Sequence, residues 1–211
     1  MLKVLFKISL FVFQFFIVID NTLADPVVKL SPPKQYSAGP YDFSASSATV
    51  DGVKLGYVEY GLGVQKFGPD MLTYLACDLS TPTEEMDGVC NTWKIYHLKT
   101  HKTVPLKIPR FDGRTSTPRF IWPYVAYVDT GSPSNVEKRV VLCQVYDFTK
   151  QRLMRRIKVN VSEDVFATDF PGMFLMPEVD VKHNFFILKY FVDSGSQSTP
   201  LCEIQIPTTQ Q

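Results

Sequence analysis

The sequence predicts an all-β fold, and three observations carry that expectation. Short runs rich in Val, Ile, Tyr and Phe alternate with clusters of Gly, Pro, Asp and Ser, the pattern of strands joined by turns. Fifteen prolines are spread along the chain after residue 25 and leave little room for a long helix. A strand–turn–strand layout also occurs twice, once with a proline where a helix interior would have to lie.

Composition sets the outer bounds. With 45% hydrophobic and 20% charged residues in 211, the chain has material for a packed core and is neither a disordered tail nor a fibre. Its 22 basic and 21 acidic residues lack the basic excess of a dedicated nucleic-acid binder, so no nucleic-acid partner is expected.

Residues 1–24 read as an export leader. Lys3 and Lys7 give a positive start, and the run from Ile8 to Ile19 is apolar except for Ser9 and Gln14. That run is shorter than the roughly 20 residues needed to cross a bilayer. Thr22 and Ala24 put small residues where a signal peptidase reads them, so cleavage is expected after Ala24. No later stretch approaches spanning length, and stable membrane insertion is not expected after cleavage. The mature chain then carries 20 charges of each sign and is expected to be secreted or periplasmic.

Residues 25–47 contain Pro26, Pro32, Pro33 and Pro40 with little aliphatic periodicity, and read as an extended arm rather than a folded element. Residues 48–211 read as a single all-β domain. Strands are expected at 53–60, 71–79, 93–98, 104–108, 120–129, 140–148 and 185–192, each short and bounded by turn formers. The best helix candidate is 150–159, where Leu153 and Ile157 lie four apart. Its surroundings decide against a helix. Tyr96-His97-Leu98-Lys99-Thr100 leading to Val104 has the same layout as Tyr146-Asp147-Phe148-Thr149-Lys150 leading to Leu153, and Pro105 sits inside the first copy. Both segments are therefore expected to be hairpins.

Looser similarity runs through the domain. Tyr57-Val58-Glu59 with Gly61, Tyr127-Val128-Asp129 with Gly131, and Phe191-Val192-Asp193 with Gly195 are three alike strand ends, offset by 70 and then 64 residues. Each is followed by an apolar stretch holding a cysteine: Cys77, Cys143 and Cys202. Phe120-Ile121-Trp122-Pro123 echoes Phe174-Leu175-Met176-Pro177. In particular, Ala-Tyr-Val-Asp, a polar loop, and then Val140 to Lys150 (Val-Val-Leu-Cys-Gln-Val-Tyr-Asp-Phe-Thr-Lys) resemble a blade of the TolB-like exported β-propellers. That resemblance covers roughly residues 53–206 and implies a repeat array of small antiparallel sheets. About three blades can be marked, whereas closed propellers have 4–8. The array is thus expected to be part of a longer propeller, to complete itself with another copy, or to be a two-sheet sandwich with repeat-like hairpins.

One motif invites a catalytic reading. Asp129-Thr130-Gly131-Ser132 and Asp193-Ser194-Gly195-Ser196 resemble the doubled motif of aspartic peptidases, in which two facing carboxylates share a proton and activate water. Each aspartate there needs a complete sheet around it. Only 18 residues follow Asp193, and Asp, Ser, Thr and Gly are equally the residues of ordinary turns. An aspartic-type peptidase using Asp129 and Asp193 is kept as the alternative, and no catalytic residue is assigned.

The cysteines fit disulfides. Cys77, Cys90, Cys143 and Cys202 form an even set in an exported chain, with three possible pairings. A Cys77–Cys90 bridge closing a turn-rich loop is the easy one, worth about 3 kcal/mol in the chain-entropy model. Cys143 and Cys202 would then pair over a long span. The spacing matches no zinc motif, and His97 and His101 flank a hairpin turn, so no metal or other cofactor is expected. Asn160-Val161-Ser162 is a glycosylation sequon. Trp122 and Tyr124 beside Pro123 suit a sugar-stacking platform or, more commonly, a core.

Charge is distributed unevenly. Lys94 to Arg119 holds seven basic residues against Asp112, and Lys150 to Lys158 holds five with no acid. If the two hairpins are equivalent, Lys99, Lys102, Lys107, Arg110, Arg152, Arg155, Arg156 and Lys158 form a positive stripe for an anionic glycan or an acidic protein. The alternative is solvated strand faces balanced by the acidic 42–87 segment. The expectation is an exported, non-enzymatic binding or scaffold domain.

Overall fold

The computed structural model describes residues 25–38, 41–79, 90–108, 117–129, 139–162, 173–193 and 198–208. The leader, Arg110 and the Gly131 and Gly195 turns lie outside them. The described chain is all-β, with every strand pair antiparallel and no helix.

The first sheet has eight strands: β1 (Val28–Leu30), β2 (Lys34–Ala38), β3 (Tyr41–Val50), β4 (Val53–Glu59), β5 (Val64–Lys66), β6 (Met71–Cys77), β7 (Cys90–His97) and β8 (Lys102–Pro105). Its order is β1-β3-β4-β6-β7-β8, with β2 beside β3 and β5 beside β6. The second sheet is a four-stranded meander of β9 (Arg119–Ile121), β10 (Tyr124–Asp129), β11 (Val140–Asp147) and β12 (Arg152–Asn160). In the third, β15 (Phe185–Asp193) lies between β16 (Ser198–Pro207) and the pair β13 (Met173–Phe174) and β14 (Glu178–Lys182).

Turn chemistry sets the registers. Asp51 and Gly52 both hold positive φ, 49° and 82°, in a two-residue turn that pairs Val50 with Val53. Asp-Gly is the dipeptide that such a turn favours. The β7–β8 and β11–β12 hairpins close with His97 opposite Lys102 and Asp147 opposite Arg152. The last turn residue is left-handed in both, His101 at φ 55° and Gln151 at φ 49°. The segment that contained the helix candidate is thus a hairpin arm, as its likeness to the 95–108 segment predicts.

Three departures from the expected elements have simple causes. Residues 25–47 are extended but not a free arm. Here β1 and β2 pair with β3, and β3 runs straight across the expected boundary at 47. Small side chains at Ala45, Ser46 and Ala48 are buried there, so packing replaces the aliphatic periodicity that the sequence lacks. The expected strand 120–129 is a hairpin: Pro123 has no N–H to carry the ladder on, the chain turns at Trp122-Pro123, and Ile121 pairs with Tyr124. The expected strand 104–108 is displaced: β8 ends at Pro105, Leu106 keeps one further backbone bond to the Trp93 carbonyl at 2.8 Å, and the side chains of Leu106 and Ile108 enter the core.

Stacking of the sheets forms the interior. Tyr124, Ala126, Val128, Val141, Cys143 and Val145 pack against Leu188, Tyr190, Ile204 and Ile206, joining the second sheet to the third. From the opposite face of the second sheet, Val125, Tyr127 and Tyr146 meet Trp93 and Ile95 of the first sheet, together with Phe67, Leu106 and Ile108 from segments just beyond its strands. Every residue of β10 and β11 is buried, which is why both read as nearly unbroken apolar runs. Another cluster lies within the first sheet, where Ala48, Val50 and Val58 pack with Leu72, Tyr74 and Tyr96. β4 joins β6 there through only two pairs, Tyr57–Cys77 and Val58–Ala76. Asp51, at the β3–β4 tip, lies near enough to Tyr96 on β7 to add to the upward push that burial gives its phenol.

Candidate anion-binding surface

β12 is an edge strand, paired with β11 on one side only among the described residues. Its sequence, Arg-Leu-Met-Arg-Arg-Ile-Lys-Val-Asn, contains no acid and no proline. Arg152, Arg155, Arg156 and Lys158 are all exposed. Register divides them: Arg156 and Lys158 lie opposite Gln144 and Leu142, whereas Arg155 lies opposite Val145. Basic groups therefore project from both faces of the edge. A bulge between Val145 and Tyr146 shifts the pairing by one residue on the way to Arg152.

Arg156 is tied into the interior. Its Nε donates to Gln144 Oε1 at 3.3 Å, and Gln144 Nε2 donates to Asp129 Oδ2 at 2.7 Å. Gln144 and Asp129 are fully buried, so this ladder runs from an exposed guanidinium to a carboxylate inside the second sheet. Tyr190 of the third sheet donates its hydroxyl to the Gln144 carbonyl at 2.8 Å. Desolvation drives the pKa of that phenol far above its ordinary range. The signal for this ladder in the sequence is a lone polar residue, Gln144, inside an otherwise apolar run.

At the β11–β12 turn Asp147 acts as a local clamp. Its Oδ1 accepts from the Thr149 hydroxyl at 2.8 Å and the Lys150 backbone N–H at 2.9 Å, and Lys150 Nζ lies 3.3 Å from Oδ2. Burial alone would raise the Asp147 pKa, but those donors outweigh it and hold the carboxyl below its usual range.

The β7–β8 hairpin is less available than its sequence suggests. Lys99 Nζ lies 2.7 Å from Asp70 Oδ2, so part of its charge is met within the molecule. Lys102 and Lys107 are exposed, and Arg110 falls outside the described residues. His101 Nδ1 is 2.7 Å from the Tyr96 hydroxyl, a pairing that stabilises the turn. Among the described residues no group of His, Cys, Asp and Glu is arranged to hold a metal.

Asp129 and Asp193 end β10 and β15 in different sheets. One oxygen of Asp129 is engaged by Gln144, and Asp193 is half-buried opposite Ser198. Trp122 packs with Phe67 and Phe148, and Tyr124 is buried, so these aromatics belong to the core rather than to a sugar platform. Both disulfides exist, Cys77–Cys90 across neighbouring strands β6 and β7, and Cys143–Cys202 between the second and third sheets. No helix among the described residues is long and apolar enough to cross a membrane. Comparison with protein families and with curated proteins finds no match to this chain.

Proposed function

We infer that this chain is an exported, non-catalytic binding domain whose β12 edge engages an anionic partner, an acidic glycan or an acidic protein surface. A single observation carries the reading: four cationic side chains stand exposed on one nine-residue strand that holds no carboxylate. Exposed cations that have no acid beside them on their own strand attract anions at long range, and salt screens the attraction. Two disulfides and the leader-like first segment support export. The stacked antiparallel sheets, the middle one covered on both faces, and the matching β7–β8 and β11–β12 turns support reading the domain as a propeller-like array rather than a two-sheet sandwich.

Retention on immobilised heparin at rising salt tests the surface. Reversal of charge at Arg155 and Arg156 should shift elution to clearly lower salt, while reversal at Lys34, exposed on β2, should not. Equal elution of all three proteins would remove β12 as the binding edge.

A further inference from the structure

We propose that Asn160 carries an N-linked glycan, and that this glycan guards the unpaired edge of β12. The proposal rests on the export reading, because the sugar is transferred on the secretory route.

Asn160-Val161-Ser162 is the only Asn-x-Ser/Thr triplet in the chain. The structure places it where a large hydrophilic group fits. Asn160 is the last residue of β12, opposite Val140, and its side chain is exposed. Val161 donates its backbone N–H to the Arg139 carbonyl at 2.8 Å and packs its side chain against the core between the second and third sheets. Anchored in this way, Val161 turns inward, while Asn160 and Ser162 on either side of it are exposed.

A reason for a glycan at this position comes from the edges of the sheets. An unpaired strand edge is a template for joining another chain, and proteins blunt it with prolines, charges or bulk. β8 ends on Pro105, and β16 contains Pro200 and Pro207. β12 has no proline, and Ile157 is 38% exposed on it. Its basic residues repel a second copy along part of the strand. The far end has only Asn160, and a branched sugar there would block approach sterically. From Asn160 to Arg155 is roughly 17 Å at 3.3 Å per residue, so the arginine end stays open to an anionic ligand.

In the transfer, the Asn160 side-chain amide nitrogen attacks the anomeric carbon of a pyrophosphate-linked lipid oligosaccharide. A C–N bond forms, the bond from that carbon to the pyrophosphate oxygen breaks, and the amide proton leaves to a base. The lipid pyrophosphate is the leaving group, and no oxidation state changes.

The test expresses the full chain with its own leader in a eukaryotic secretory host, and in parallel the 25–211 chain behind a proven leader. Secretion in the first arm reads the export step alone. In the second arm, digestion with an amidase that releases N-glycans should lower the apparent mass and convert Asn160 to Asp in the peptide map. Asn160→Gln and Ser162→Ala should abolish that change, and Ser162→Thr should retain it. An unmodified Asn160 in secreted protein from the second arm overturns the site. For the guarding role, Asn160→Gln and enzymatically deglycosylated protein should self-associate at several-fold lower concentration by sedimentation than the glycosylated form. Identical association overturns that role even where the sugar is present.

Discussion

Gln144 and Asp129 meet in the interior of the second sheet, with Nε2 of the amide 2.7 Å from Oδ2 of the carboxylate and both side chains fully buried. Asp129 lies opposite Leu142 and Gln144 lies opposite Tyr127, so the two point to the same face, toward the first sheet. A buried carboxylate is tolerated only when donors replace water. Gln144 supplies one of them and passes its own oxygen to Arg156. The aspartate that looks catalytic in the sequence is thus part of a structural ladder linking the core to the basic edge.

The ladder predicts that Gln144→Leu, which is close in size but cannot donate, destabilises the protein by about 1–3 kcal/mol. Denaturant unfolding measures it. Asp129→Asn keeps an acceptor for Gln144 and should cost less. A Gln144→Leu protein with an unchanged midpoint would show that the donor at Asp129 is dispensable.

Asp147 gives the pH dependence. Its folded-state pKa lies below the ordinary carboxylate value because Lys150 and Thr149 donate to it despite burial. A depressed pKa adds stability that is fully present above the unfolded value of about 4. That stability is lost as pH falls through the depressed native value. Asp147→Asn should therefore lower the unfolding midpoint at neutral pH, and the gap to the parent protein should narrow as pH falls below about 4, closing only once pH has passed below the depressed native value. A gap that stays constant from neutral to acid pH would mean that the carboxylate contributes by shape alone.

Legibility in the sequence follows from where each interaction partner lies. β11 is readable because both faces are buried and its run is apolar but for Gln144 and the terminal Asp147, but that pattern cannot say what covers the faces. β5 and β13, of three and two residues, are too short for any period to show. β3 has Ser and Ala where strands usually carry branched side chains, and only its pairing with β2 and β4 reveals it. At the site, the basic run of β12 is plain in the sequence. The Lys99–Asp70 pair, which weakens the matching hairpin, joins residues 29 apart and needs the fold to be seen.

Gly68 is a place where the backbone itself is needed. Its φ is 84°, and an added Cβ would come within 2.7 Å of the Trp122 ring. Trp122 packs edge-on against Phe67, so it has little freedom to retreat from the interface between the first two sheets. Gly68→Ala should cost about 2–4 kcal/mol, combining positive-φ strain with overpacking. Trimming Trp122 to Leu in the same protein should recover the steric part and leave the strain. A double variant no more stable than Gly68→Ala would deny the contact.

The two disulfides should differ in worth because they close different loops. Cys77 and Cys90 are separated by 13 residues and lie opposite one another on strands already paired. Cys143 and Cys202 are separated by 59 and bind the second sheet to the third through the buried face of β11. Chain entropy assigns about 3 kcal/mol to the shorter loop and about 4 to the longer. Replacing Cys143 and Cys202 by alanine also removes buried sulfur from the core that joins those sheets, which widens the difference. Paired alanine variants compared by denaturant unfolding should therefore rank the long-range bridge as the costlier loss. With that bridge gone, proteolysis should reach β15 and β16 before β10 and β11, since the latter stay covered on their other face by the first sheet. If removing Cys77–Cys90 proves the more damaging, the strand pairing between β6 and β7 depends on its crosslink, and the shared core alone is enough to hold the third sheet in place.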